Sequence, residues 1–223
     1  MRQIVEPGFD VLWRDAEYGT FLGDDVYVAP VLTPATVLRE VSLPSSGWWP
    51  LFGDAPLAGD ASGDGRVHAT VDVPTTEIAA FVRPGTAIVL LGEVVDSFYG
   101  ATSPGVTDLD DVARWRRLAL YPDAAGAVRP VDVDGWRVEA TGWNDAALDA
   151  ATWNGAPLAA CATDAAPPCV DAAAGLVEVE GEGTLQAGGA RLAVIAPEPS
   201  APPLRLSVGV AAAVWGALAI ATP

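Results

Sequence analysis

The 223-residue chain has no lysine, one histidine (His68), one methionine and two cysteines. Its twelve basic residues are all arginine and face 29 acids, for a net charge of −17. A surface this negative repels phosphate backbones, whose neutralisation carries most nucleic-acid affinity, and it offers no basic face to anionic lipid. Nucleic acid is therefore excluded as a partner. The single histidine lies far in sequence from the cysteines, so no metal set is expected, and no cofactor is called for. Met1 to Asp10 shows no charged-then-apolar signal pattern, so nothing in that stretch directs export. A run of about 20 apolar residues, the length of a membrane-spanning helix, is also missing. Leu206 to Ala221 comes nearest, with sixteen uncharged residues rich in Ala and Gly and no basic cluster after them. Residues 206–223 read as an apolar C-terminal tail, open between a membrane or sorting tail, a buried final strand and a disordered end.

What is present is punctuation. Gly (23) and Pro (19) fall between short apolar runs, and both residues favour turns over element interiors. Val26–Leu32 is one such run, broken by Pro30. In the next, Val37, Arg39, Val41 and Leu43 share one face. Pro44-Ser45-Ser46-Gly47 then turns the chain before Trp48-Trp49. Val67, Ala69, Val71 and Val73 alternate again, Phe81-Val82 leads into the Pro84-Gly85 turn, and Ala87–Leu91 reads as a buried strand. Period-two patterning at this spacing predicts an all-β fold of two small antiparallel β-sandwich domains in tandem.

The sequence loosens into Ser, Thr, Gly, Pro and Asp between Gly92 and Asp111, which places a linker at 96–112. It separates a proximal sandwich, 21–95, from a distal one, 113–205. Thr107 to Arg117 is open between a capped helical turn and the approach to a strand through Trp115 and Leu118. In the distal half, Leu118–Tyr121, Trp136–Ala140, Leu176–Glu180 and Arg191–Ala196 read as strands. Asp134-Gly135, Asn154-Gly155 and Gly188-Gly189 are hairpin signals, since each tolerates positive φ. Ala-rich Asp145 to Thr152 leaves a short helix open.

Candidate chemistry is sparse. Asp24-Asp25 are adjacent on an extended chain and point to opposite faces, which suits a turn rather than a catalytic pair. Asp60-Ala61-Ser62-Gly63-Asp64-Gly65 opens like a calcium loop, but Val71 stands where the bidentate acid belongs, so a hairpin loop is the better reading. His68 has no nucleophile or orienting partner in view. Trp48, Trp49, Trp136, Trp143 and Trp153 suit core packing, with Trp48 and Trp49 beside a turn as candidates for stacking on a carbohydrate. Cys161 and Cys169 form either a small disulfide-closed loop or two idle thiols. A disulfide, together with the apolar tail, favours a secreted or cell-surface protein.

Four segments in order carry a resemblance. Phe21 to Leu32, with Gly23-Asp24 before an apolar strand and Ala29-Pro30-Val31, resembles the stretch that follows the catalytic barrel in family 31 glycoside hydrolases. Arg39 to Pro44 is similar to that family's strand ending in Leu-Pro, and Gly47-Trp48-Trp49 to its Gly/Thr-Trp-Tyr element. Ile78 to Ile88 resembles its Ile-Pro-Val-Phe-Val-Arg-Ala-Gly strand and turn. Leu120-Tyr121-Pro122 and Trp153-Asn154-Gly155 add weaker matches. The resemblance implies that residues 1–20 are a barrel-exit segment and that the sandwiches support a barrel performing retaining hydrolysis of α-glycosidic bonds, as in α-glucosidases. The family's nucleophile motif, Trp-x-Asp-x-Asn-Glu, has no counterpart here. Trp143-Asn144-Asp145 has similar letters in another order, so no catalytic residue is assigned. The implied partner is the catalytic barrel of the parent enzyme. The alternative is a stand-alone carbohydrate-binding or cell-surface module, with membrane association only through the tail.

Overall fold

A computed structural model describes residues 20–29, 38–58, 60–61, 66–73, 78–93, 95, 106–145, 147–161 and 166–219. The barrel-exit segment before Thr20, much of the linker, and the last four residues of the tail lie outside these, as do four of the six residues of the calcium-like loop. The chain divides into two compact units, Met1–Pro84 and Gly85–Pro223. Among the described residues, all but one of the regular elements longer than three residues are strands, as the alternation predicts.

The first unit holds β1 (Thr20–Leu22), β2 (Val26–Val28), β3 (Leu38–Leu43), β4 (Trp49–Pro50), β5 (Asp60–Ala61), β6 (Val67–Asp72) and β7 (Ala80–Val82). They form two antiparallel sheets, ordered β1-β2-β7-β4 and β3-β6-β5. On β6, His68, Thr70 and Asp72 face solvent while Val67, Ala69 and Val71 turn inward, the period-two pattern made physical. Both sheets feed one core. Tyr27 and Phe81 come from the first, Val41 and Leu43 from the second, and Trp48 is packed with them.

The second unit begins with β8 (Thr86–Leu91), β9 (Trp115–Tyr121), β10 (Val128–Val133) and β11 (Trp136–Thr141). It continues through β12 (Thr152–Trp153), β13 (Ala156–Pro157), β14 (Ala159–Ala160), β15 (Cys169–Asp171) and β16 (Leu176–Glu180). It ends with β17 (Gly183–Ala187), β18 (Ala190–Ile195), β19 (Arg205–Val210) and α1 (Ala211–Ala219). One sheet runs β14-β15-β16-β19-β9-β8 and the other β10-β11-β18-β17-β12-β13. The three two-residue hairpins read from sequence close as expected. At the first, Asp134 and Gly135 take φ of 53° and 86° between the paired Val133 and Trp136, the left-handed pair that matches strand twist.

Three readings change, and two that the sequence left open are decided. The break between units falls at Pro84/Gly85 rather than in 96–112, because β8 hydrogen-bonds along β9 from Thr86↔Tyr121 to Leu91↔Arg116. The sheets are not wholly antiparallel: β19 lies parallel to β9, and β14 parallel to β15. The 206–223 tail is no tail, since Leu206 to Val210 belong to β19, an interior strand whose Leu206 and Val208 are fully buried, and α1 follows it. Its lack of charge reflects burial on both faces. Thr107 to Arg117 is a turn leading into β9. Asp108 Oδ1 accepts from the amides of Asp110 (2.9 Å) and Asp111 (3.1 Å), and Trp115 opens the strand. The Ala-rich stretch yields only short 3-10 turns, Trp143–Asp145 and Leu148–Ala150.

Candidate functional site

Trp48 and Trp49 are 1% and 6% exposed, so neither offers an open ring face to a sugar. The Trp48 ring meets Phe21 edge-on at 6.3 Å, and the Arg83 guanidinium lies 5.8 Å from its centroid. The turn that precedes Trp48 delivers it inward, where its area is worth most. Trp136, Trp143 and Trp153 are buried too, in the core of the second unit.

The first unit instead exposes aliphatic side chains. Leu22, Leu38 and Ile78 are 61%, 58% and 62% exposed, and Phe52 is also exposed. Ile78 and Phe52 fall at one end of the β2-β7-β4 sheet, because Ala29 N bonds Ala79 O and Leu51 N bonds Ala80 O. Asp25, in the turn between β1 and β2, stands 3.9 Å from Arg83. Asp24 is in the same turn, and His68 is exposed on β6.

A polar cluster lies on the β16-β19-β9 sheet. Parallel pairing sets Trp115 beside Arg205 and Arg117 beside Ser207, with Glu178 opposite Ser207. The Arg205 guanidinium lies 4.4 Å over the Trp115 ring and binds Glu178 Oε2 at 2.5 Å. Trp115 Nε1 donates to Ser207 Oγ (3.0 Å), which donates to Glu178 Oε1 (3.3 Å). Arg117 donates to Gly92 O, and burial pulls its guanidinium below the ordinary value, with Glu178 opposing. A Cβ at Gly92 would lie 2.2 Å from the Trp115 ring, so only glycine fits there. With Arg205 over it and Gly92 against it, Trp115 is clamped. The Glu178 carboxylate is engaged by a cation and a hydroxyl, Arg205 and Ser207. The arrangement stiffens a sheet. Sequence reasoning missed this cluster, because Trp115/Arg117 and Arg205/Ser207 become neighbours only once β9 and β19 are known to pair.

Cys161 and Cys169 are bonded, with Cα atoms 5.0 Å apart. Among the described residues no three His, Cys, Asp or Glu gather to hold a metal, and no helix is long and apolar enough to cross a membrane.

Residues 9–88 match the glycosyl hydrolase family 31 C-terminal domain. The matched span covers nearly all of the first unit and all four segments that carried the resemblance. This part of the chain is thus similar to a family 31 C-terminal domain. Among solved structures, the chain is similar to a cycloalternan-forming enzyme from Listeria monocytogenes in complex with a pentasaccharide substrate. The identity is 16% and the TM-score 0.49, over 82% of this chain and 19% of that one. It is also similar to a family 31 dextranase from Flavobacterium johnsoniae complexed with isomaltotriose. There the identity is 13% and the TM-score 0.45, over 90% of this chain and 28% of the other. The chain thus spans between about a fifth and somewhat over a quarter of these enzymes. No curated protein matches it. The likeness to the family rests on residues 9–88.

Proposed function

We propose that the chain is the non-catalytic C-terminal supporting region of a family 31 glycoside hydrolase. Its first unit docks against the catalytic barrel and holds it in shape. The parent reaction in this reading is retaining hydrolysis of a terminal α-linked sugar, as in α-glucosidases. The observation that carries it is the match of residues 9–88 to a domain of that family. The exposed Leu22, Leu38 and Ile78 on the matched unit agree with it. Covering one such side chain is worth about 1.5–3 kcal/mol, so three of them go far towards holding a docked surface in place. The described residues supply packing and polar networks, and no acid/base pair.

The test uses the purified chain, alone and mixed with a family 31 barrel expressed without its C-terminal domains. Melting temperature and hydrolysis of aryl α-glycosides are followed. The chain alone is expected to hydrolyse nothing, and mixing is expected to raise the barrel's melting temperature and rate. Replacing Leu22, Leu38 and Ile78 together by serine should abolish that gain while changing the chain's own stability by no more than about 0.5 kcal/mol per site. Hydrolysis by the chain alone would overturn the reading, and so would a barrel indifferent to its presence.

A further inference from the structure

In the second unit the chain leaves one sheet at β13 and enters the other at β14, so this short stretch closes one side of the sandwich. Leu158, between the two, packs on the core and its amide bonds Ala151 O (2.9 Å), but β14 itself is held by little. β14 is two alanines long, both are exposed, and it pairs only with β15, in parallel. A backbone bond from Cys161 N to Val170 O (2.9 Å) extends the pairing by one residue. Parallel pairing is slightly weaker per residue than antiparallel, and two exposed methyl groups add almost no burial. The strand on the other side of the bond is different in kind. Cys169 and Val170 are buried, and β15 pairs with β16 through Cys169↔Glu178, Val170↔Val177 and Asp171↔Leu176. The disulfide therefore joins a weakly held edge to a firmly held strand.

We propose that the Cys161–Cys169 bond is a redox latch on this edge, closed in an oxidising compartment and opened by thiols. Closure joins the two sulfurs and removes two protons and two electrons. An exchange disulfide takes them up and is itself reduced to two thiols. Opening runs the other way. A reductant thiolate attacks the sulfur of Cys161, the more accessible partner, and forms a mixed disulfide, and Cys169 leaves as a thiolate. A second reductant thiol displaces Cys161 and carries away the electron pair as its own disulfide. Once the latch is open, β14 keeps its short backbone pairing and is otherwise tied only through Leu158 before it, so it detaches from there on while β15, β16, β19 and β9 stay folded. Detachment bares the outer hydrogen-bonding row of β15, a sheet edge ready to pair with another strand. Such a bond persists where disulfides are maintained, which assigns the chain to export or the cell surface by an argument independent of the family reading.

The test follows amide hydrogen exchange and thiol alkylation on the full chain, secreted by its expression host, before and after dithiothreitol. The untreated protein, once denatured, should present no alkylatable thiol, and the treated protein two. Reduction should speed exchange at 159–161 and 169–171 by at least about tenfold, leaving β9 and β19 amides unchanged, as local rather than global opening requires. The double variant Cys161→Ala, Cys169→Ala should show the fast pattern without reductant. Three results would overturn the proposal: free thiols in the secreted protein, exchange unchanged by reduction, or loss of protection throughout the second unit.

Discussion

The two units bury their apolar side chains on different scales. Among the described residues, the second gathers 22 buried residues into one core cluster and the first only eight. Among the described residues, eight of the second unit's twelve strands have five to seven residues, in two six-stranded sheets, while five of the first unit's seven strands have only two or three. Exposure runs the other way. Four of the six exposed large apolar side chains belong to the first unit, and the two in the second, Val89 and Ile195, are the least exposed. A unit with a small core and bare aliphatic side chains has less burial to set against chain entropy. On the described residues the second unit has the larger core, and the surface proposed to dock on a barrel belongs to the first.

The sharpest way to break that comparison is to remove one large side chain from each core. Trp48→Ala deletes the largest fully buried residue of the first unit, at an expected cost of about 3–5 kcal/mol. Domains have only about 5–15 kcal/mol in total, so the first unit should lose its separate melting transition, read by calorimetry. Trp48→Phe is the control. The indole Nε1 is buried with no hydrogen-bond partner among the described residues. The phenyl ring removes that unsatisfied donor and most of the penalty with it, so its transition should survive. Leu206→Ala, in the interior strand β19, should cost about 2–5 kcal/mol, but it should only lower the second unit's transition, because the core around it is large. Equal sensitivity in the two units would show that the comparison is wrong.

The same contrast explains what could be read from sequence. β6 and β11 were legible because one face is wet and the other dry, so Val67/His68 and Val138/Arg137 alternate visibly. The hairpins were legible because Asp134-Gly135 and Asn154-Gly155 adopt positive φ, a local demand that local residues must meet. β10 was hidden by Pro130, tolerated because the strand lies at a sheet edge. β17 was hidden by Gly183, Thr184 and Gln186, and β19 by being buried and uncharged from Leu206 to Gly209, which looks like a tail when its neighbours are unknown. The family resemblance was legible because it rests on local strand-and-turn segments between Phe21 and Ile88. The Trp115 cluster was not, because it depends on pairing across ninety residues.

A smaller effect separates the units by pH. Trp215 on α1 donates to the Tyr121 hydroxyl at 2.9 Å, and burial pushes that hydroxyl up to about 12 from an ordinary 10. The folded state therefore keeps its proton where the unfolded state has lost it. Stability is intact below about pH 10 and falls between 10 and 12, by up to roughly 2–3 kcal/mol. In a denaturant titration across this range, Tyr121→Phe should flatten the decline in the second unit. An unchanged slope would mean that α1 does not seal this residue.

The smallest expected effect concerns the polar face. Glu178→Gln removes the charge that Arg205 and Ser207 share, yet the side chains of Arg205 and Glu178 are 36% and 24% exposed, so solvent screens much of the attraction. The amide still accepts from Ser207 and Arg205, and the loss should be about 0.2–1 kcal/mol, smaller in high salt. Arg205→Ala should cost more than Glu178→Gln, because it also uncovers the Trp115 ring on which the guanidinium lies. The double-mutant cycle separates the ion pair from the stacking. If the single losses simply add, Arg205 contributes by covering Trp115 and its charge is incidental. If they are coupled, the Trp115–Ser207–Glu178–Arg205 network acts as one unit.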